Sequence, residues 1–193
     1  MATNETHLPL KLAMIDYETG CPQRIQHFLK VHSFASTIAE MEGLDPVTRF
    51  TLEAAALIHD IGIRPSLAKY GSSAGRHQEE LGPAPAEEML SRLGYPRALI
   101  ERVARLVGRH HTYTGIDGPD CQILIEADFL VNMLEEGMSL QAIRAAYGKV
   151  FATESGRRLC RAMFPDAERE AAAGDGGEGE RGAKAAGEAA GAA

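Results

Sequence analysis

Apolar positions recur at three- and four-residue steps through most of this chain, and runs in which β-branched and polar residues alternate are missing. A period of that kind predicts helices that pack through one face, and therefore an all-α protein. The first firm helix is predicted over 22–42, ending at Gly43, a residue suited to a left-handed C-terminal cap. Asp45 followed by Pro46 has the N-cap and first-turn chemistry of a second helix, with Leu52, Ala55, Ala56 and His59 on one stripe. That helix stops near Gly62, and a loop holding Pro65 and Gly-Ser-Ser-Ala-Gly (71–75) follows. Helices are expected at 83–93 and 96–110, opened by Pro83 and Pro96 and separated by Gly94. A second loop over 112–120 leads to helices at 121–136, 139–147 and 150–163. Connections this short imply a compact bundle with mostly antiparallel neighbours.

The pattern fails at the C-terminal end. Residues 167–193 hold 11 Ala and 7 Gly among 27, the rest charged, with nothing large and apolar. Ordering each residue costs about 1–2 kcal/mol of backbone entropy, and such a segment has no burial to offset it. The expected organisation is one helical domain over 1–165, ordered from about residue 8, with a disordered Ala/Gly/Glu-rich tail over 166–193. Its glycine-rich piece, 174–182, lacks the strand and helix that flank a phosphate loop.

The 193 residues carry 20 Lys+Arg against 27 Asp+Glu, a formal charge of −7, and 45% are hydrophobic. That share builds a core at this length, while no apolar run reaches the ~18 residues of a membrane span. Acidity without a basic block argues against stable nucleic-acid binding. Cys21, Cys121 and Cys160 are odd in number and unpaired in spacing, which reads as reduced thiols. The N-terminus has no signal-peptide pattern, so the expected location is the cytoplasm.

All seven histidines precede Thr112, and several interrupt apolar stripes. Leu99, Val103, Leu106 and Val107 form a core-facing stripe, and seven residues after Val103 the same stripe reaches His110; His111 is about 100° away. Leu124, Asp128 and Val131 share a face, which directs a carboxylate inward, and an unpaired buried carboxylate costs several kcal/mol. His59 lies on the stripe of the second helix, and its neighbour Asp60 sits where Gly62 loosens the helix end, so both can reach one ion. On the first helix His27 shares a stripe with Val31, Phe34 and Ile38, and His32 shares one with Ile25, Phe28 and Leu29. Periodicity leaves both open. Imidazoles with carboxylates and no thiolates predict a divalent ion held by nitrogen and oxygen. Taken singly, each of these histidines reads as an ordinary hydrogen-bonded core residue; the joint pattern is what points to a metal. His7 reads as incidental.

Arg24-Ile-Gln-His-Phe-Leu-Lys-Val, Ala-Leu-Ile-His-Asp-Ile-Gly (56–62) and Glu-Ala-Asp-Phe-Leu (126–130) together resemble the HD-domain metal-dependent phosphohydrolases, over about residues 24–132. The resemblance implies an HD-domain-like helical bundle and selects His27 over His32. It implies His27, His59, Asp60 and Asp128 as ligands of a first ion. For a second ion, as in the binuclear subset, it implies His77, His110 and Asp60, with His111 as an alternative to His110 or an addition to it. Two features depart from the pattern. His77 sits five residues before Gly82, wider than in similar binuclear members, so Glu80 or an outer-shell role for His77 is the rival assignment. Ile63 and Arg64 stand where some relatives carry a lysine.

The function so implied is hydrolysis of a phosphate ester or anhydride in a nucleotide or another small phosphorylated metabolite. Metal-activated water is the nucleophile, and Asp60 is the catalytic residue that fixes the geometry. The cofactor is one or two divalent ions, Fe or Mn ahead of Zn, Ni, Co and Mg. Arg109, with Arg64, Lys69 or Arg76, would grip phosphate oxygens through charge-assisted hydrogen bonds; the rival reading of Arg102, Arg105 and Arg109 is a solvated face. Tyr113 stacks on a base or caps its loop, and Gly71 to Gly75 form a lid hinge or a simple turn. A homodimer is compatible with all of this, a membrane partner is not. Two other functions are carried beside the first: an HD-type di-iron oxygenase using the same ligands, and a non-catalytic, metal-stabilised module that senses a nucleotide.

Overall fold

The computed structural model describes residues 6–168, and within them there is no strand. In chain order the elements are α1 (Leu8–Tyr17), α2 (Pro22–Met41), α3 (Pro46–Ile58), a 3-10 turn (His59–Gly62), α4 (Ile63–Tyr70), α5 (Gly75–Leu81), α6 (Pro83–Arg92), α7 (Arg97–Val107), α8 (Pro119–Glu135), α9 (Leu140–Lys149) and α10 (Glu154–Met163). Proline opens α2, α3, α6 and α8, where its missing N–H has no helical partner to lose. Asp45 caps α3 by accepting from the amides of Val47 (3.0 Å) and Thr48 (3.1 Å).

Packing centres on α2, which lies against α3 on one side and α8 on another, while α3 also meets α7 and α7 pairs with α6. Phe28, Val31, Ala35, Ile38 and Ala39 are buried on α2, and they meet Leu52, Leu57 and Ile58 of α3 with Leu124, Leu130 and Val131 of α8. The buried stripe of α2 therefore includes His27 and leaves His32 half-buried. α10 returns onto α8 through the carboxylate of Glu126, which accepts from the amides of Ala152 (2.6 Å) and Thr153 (2.8 Å). The three cysteines are free thiols. No helix of the described residues is long and apolar enough to cross a membrane.

The structure departs from the sequence expectations in five places. α1 precedes the first expected helix; it is apolar around its girth, with Leu10 and Met14 buried and Leu8 and Leu12 exposed, so it shows no stripe. The long loop expected after Gly62 is mostly helix, because Pro65 falls in the first turn of α4, where proline is tolerated. What remains of the loop is 71–74, with Gly71 in the left-handed region at φ 64°. The helix expected to run to 110 ends at Val107, and His110 sits on the following turn. The domain extends past the expected boundary at 165. Ala167 is buried and the Asp166 carbonyl accepts from Arg144 Nε at 2.9 Å. The remainder of the expected tail, 169–193, lies outside the described residues.

The fifth departure is His7. It is buried, stacked on Phe50 at 3.9 Å, with Nε2 donating to the Phe50 carbonyl (2.9 Å) and Nδ1 paired with the Tyr95 hydroxyl (2.9 Å). It ties the entry of α1 to α3 and to the start of α7. Burial lowers the pKa of His7, and burial reinforced by nearby Lys11 pushes His32 down to about 4. Both are held neutral by the fold, so the unfolded chain binds more protons below the ordinary imidazole value of about 6.5. Stability should thus be complete above about pH 6.5 and decline as the pH falls towards about 4. Urea midpoints between pH 7 and 4.5 test this. His32→Gln should flatten the decline, and an identical pH dependence in that variant would contradict the assignment.

Candidate metal centre

Three parts of the fold deliver four candidate ligands to a common region. α2 brings His27, the end of α3 and its 3-10 turn bring His59 and Asp60, and α8 brings Asp128. Nε2 of His27 lies 3.2 Å from Nε2 of His59, 3.4 Å from Oδ2 of Asp60 and 3.1 Å from Oδ1 of Asp128. Nε2 of His59 lies 3.4 Å from that Asp60 oxygen and 3.5 Å from that of Asp128. Separations of this size are what N and O atoms keep when each sits about 2.0–2.2 Å from a single ion. The four residues of the expected first set are thus brought together.

The adjacent pair reaches one region from a tight 3-10 turn, with the His59 ring buried and the Asp60 carboxylate, 19% exposed, at its edge. The tightness requires Gly62: a Cβ there would stand 2.6 Å from the carbonyl oxygen of Gln78 on α5.

Each imidazole is oriented by its other nitrogen. His59 Nδ1 is 2.9 Å from the Ala56 carbonyl and His110 Nδ1 is 2.8 Å from the Val107 carbonyl. A carbonyl only accepts, so both Nδ1 atoms carry the hydrogen and both Nε2 lone pairs face the cluster. His27 is held differently. Its Nδ1 lies 2.8 Å from Oε2 of Glu135, whose other oxygen is bound by Lys30. Carboxylate-to-imidazole support of this type raises the basicity of a metal ligand.

The electrostatics ask for a cation. Burial opposes charge on Asp60 and Asp128, yet the surrounding imidazoles hold both carboxyls well below the usual range. Burial likewise opposes charge on His27, but Asp128, Glu135 and Asp60 push it up to about 11. A proton on His27 does the neutralising that a divalent ion would do from the centre. The donor set, two imidazole nitrogens and two carboxylate oxygens, fits a divalent metal ion.

A second cluster adjoins the first. Asp60, His110 and His111 bring ligand atoms within 4.8 Å of one another, and His110 Nε2 is 3.6 Å from Asp60 Oδ1. The Nε2 atoms of His110 and His111 are buried without a hydrogen-bond partner, as expected of lone pairs meant for an ion. Asp60 thus turns one oxygen to each cluster. His77, expected in this second set, is in neither. Its ring stacks on Tyr70 of α4 at 4.2 Å and its Nε2 accepts from Arg76. His111 takes the position instead, pressed against Gly75, where a Cβ would stand 2.7 Å from its ring. Gly75 is therefore a packing contact rather than only a turn.

The three cations expected at the substrate each have a partner within the fold. Lys69 pairs with Glu80 at 3.1 Å, Arg109 donates to the Gly115 carbonyl at 3.3 Å, and Arg64 donates to the Tyr17 carbonyl. Two supporting acids escaped the sequence reading. Glu79 accepts from the His111 amide (3.0 Å) and the Thr112 hydroxyl (2.9 Å), fixing the histidine turn. Glu135 stands seven residues after Asp128, on the same face of α8, and that spacing could have flagged it.

The HD-domain family model matches residues 24–141. The chain is also similar to a crystal structure of a predicted HD superfamily hydrolase from an uncultured Thermotogales bacterium, with 27% identity and a TM-score of 0.59 over 82% of this chain and 86% of that one. No functionally curated protein matches it.

The role of Glu135 can be measured directly. Glu135→Gln should weaken metal affinity by about 10–100-fold in chelator competition, with little change in the melting temperature of the metal-free protein. An unchanged affinity would show that His27 needs no carboxylate behind it.

Proposed function

The chain belongs to the HD-domain family, a superfamily of metal-dependent hydrolases, and from that premise we propose that it is a phosphohydrolase acting on a nucleotide or another small phosphorylated metabolite in the cytoplasm. The observation that carries this reading is the cluster of His27, His59, Asp60 and Asp128, in which the two Nε2 atoms lie 3.2 Å from each other and 3.1–3.5 Å from an oxygen of each carboxylate. When bound there, a divalent ion supplies Lewis-acid charge and lowers the pKa of a coordinated water.

The chain's own residues set the geometry for that chemistry. Asp60 has 19% of its side chain exposed, against 6% for Asp128 and 0% for His59 and His110, so the cluster opens on the Asp60 side. Asp128 is steadied by Asn132, whose Nδ2 donates to Oδ1 at 2.9 Å. His59 and His110 present fixed lone pairs, so little reorganisation is needed when charge develops on a phosphoryl group. The adjoining Asp60, His110 and His111 set supports a two-ion centre with Asp60 shared.

Elemental analysis of protein purified without chelator, followed by phosphate release from a panel of nucleotides and sugar phosphates with added manganese or ferrous iron, tests the reading. Turnover is expected, with one or two ions per chain. Asp60→Ala should lose metal and lower turnover by at least about 100-fold. Metal-loaded protein that releases no phosphate from any substrate would overturn it, and dioxygen uptake by an iron-loaded form would favour the oxygenase in its place.

A further inference from the structure

The turn between α1 and α2 carries a buried acid that the metal cluster does not use. Glu18 is 2% exposed. Its Oε2 accepts from Nε of Arg24 at 2.7 Å, and because that contact is made through Nε, both Nη groups of Arg24 are left for another acceptor. Arg24 stands three residues before His27 and so shares its face of α2.

Arg64 approaches from the other side. It follows Asp60 by four residues, lays its guanidinium over the Tyr17 ring at 5.3 Å and donates through Nη1 to the Tyr17 carbonyl. The Tyr17 hydroxyl in turn donates to the Ile61 carbonyl at 3.2 Å, so the end of α1 is tied to the 3-10 turn that holds His59 and Asp60. Tyr17 and Glu18 therefore hold two guanidiniums in place beside the cluster. Asp60 is close enough to Glu18 for its charge to be felt there, and so is Arg64.

Three other cations have carboxylate partners of their own. Arg102 is held by Asp117 and Asp120, Lys30 by Glu135 and Lys69 by Glu80. Arg24 and Arg64 balance Glu18 and Asp60, and the pair keeps N–H donors that its contacts with Glu18 and Tyr17 do not take up. A guanidinium with its donors free and its orientation fixed is suited to bind phosphate oxygens in fork geometry.

We propose that Arg24 and Arg64, positioned by Glu18 and Tyr17, form the seat for a phosphate group of the substrate. The assignment rests on the phosphohydrolase reading and names a part of the site which that reading leaves open. It replaces Lys69 and Arg109, which are engaged elsewhere, and adds Arg24.

The test uses metal-loaded protein and orthophosphate as the probe, with affinity measured by calorimetry and turnover measured in parallel. Arg64→Gln should weaken orthophosphate binding by about tenfold or more, and Arg64→Lys by less. Arg24→Gln alone would strand the buried Glu18, so the matched variant is Glu18→Gln with Arg24→Gln, for which the same loss is expected. Metal content should be unchanged in all three variants, and KM for a phosphoester should rise more than kcat falls. If the double variant does not fold, Arg64→Gln decides alone. Wild-type affinity in Arg64→Gln overturns the seat while turnover keeps the phosphohydrolase reading standing. Phosphate binding that Arg64→Gln abolishes, in a protein without hydrolytic turnover, supports the seat and overturns that reading. Wild-type protein that neither binds orthophosphate nor turns over overturns both.

Discussion

Burying two carboxylates beside one another is the constraint around which this chain is arranged. Asp128 is buried and Asp60 largely so, beside the imidazoles of His27, His59 and His110. An isolated buried carboxylate costs several kcal/mol, and two of them repel across a medium that screens poorly. The metal-free protein meets this with a proton on His27, which the acids hold up to about 11. A divalent ion held by His27, His59, Asp60 and Asp128 would meet it more completely, because it would neutralise both acids. The same residues are a liability to the fold without a cation and a binding site with one.

Each element near the centre can be traced to that demand. α8 carries its polar residues inward for separate purposes: Asp128 to the ion, Asn132 to Asp128, Glu135 to His27, and Glu126 to the amides that open α10. The close contacts at Gly62 and Gly75 bring α5 against the 3-10 turn and the histidine turn. Glu79 then holds the His110–His111 backbone from α5. Short helices that look like connections are the second layer of the centre.

The main elements and most of the clustered residues were legible because one signal governs them. A polar residue that keeps the helical phase of its apolar neighbours must face inward, and Asp128, His59 and His110 all do. His27 and His32 could not be separated by phase, since α2 is apolar around much of its girth; packing between α3 and α8 decides it in favour of His27. α1 was missed for a related reason, having no contrast between faces. Pro65 was read as a breaker although it sits in a first turn, which hid α4. His77 falls outside the second cluster because the packing of a seven-residue helix sets where its ring points, and spacing in the chain does not encode it. His7 was unreadable as well: its partners, Phe50 and Tyr95, are distant in sequence.

Charge around the opening is uneven, and that unevenness bears on how an anion could enter. On the α8 side, burial and the nearby charge of Asp128 raise the pKa of Glu136, and burial with the charges of Asp128, Glu79 and Glu136 raises that of Tyr113. Tyr113 is 43% exposed and meets the edge of Phe129, an aromatic surface in a field of carboxylates. The α1–α2 side holds Arg24 and Arg64 against a single buried Glu18. Opposite signs on two walls of a partly desolvated opening orient an incoming dipole as well as attract it. On the phosphohydrolase reading proposed above, a phosphorylated molecule in such a field would turn its phosphate toward the arginines and its neutral, planar end toward Tyr113.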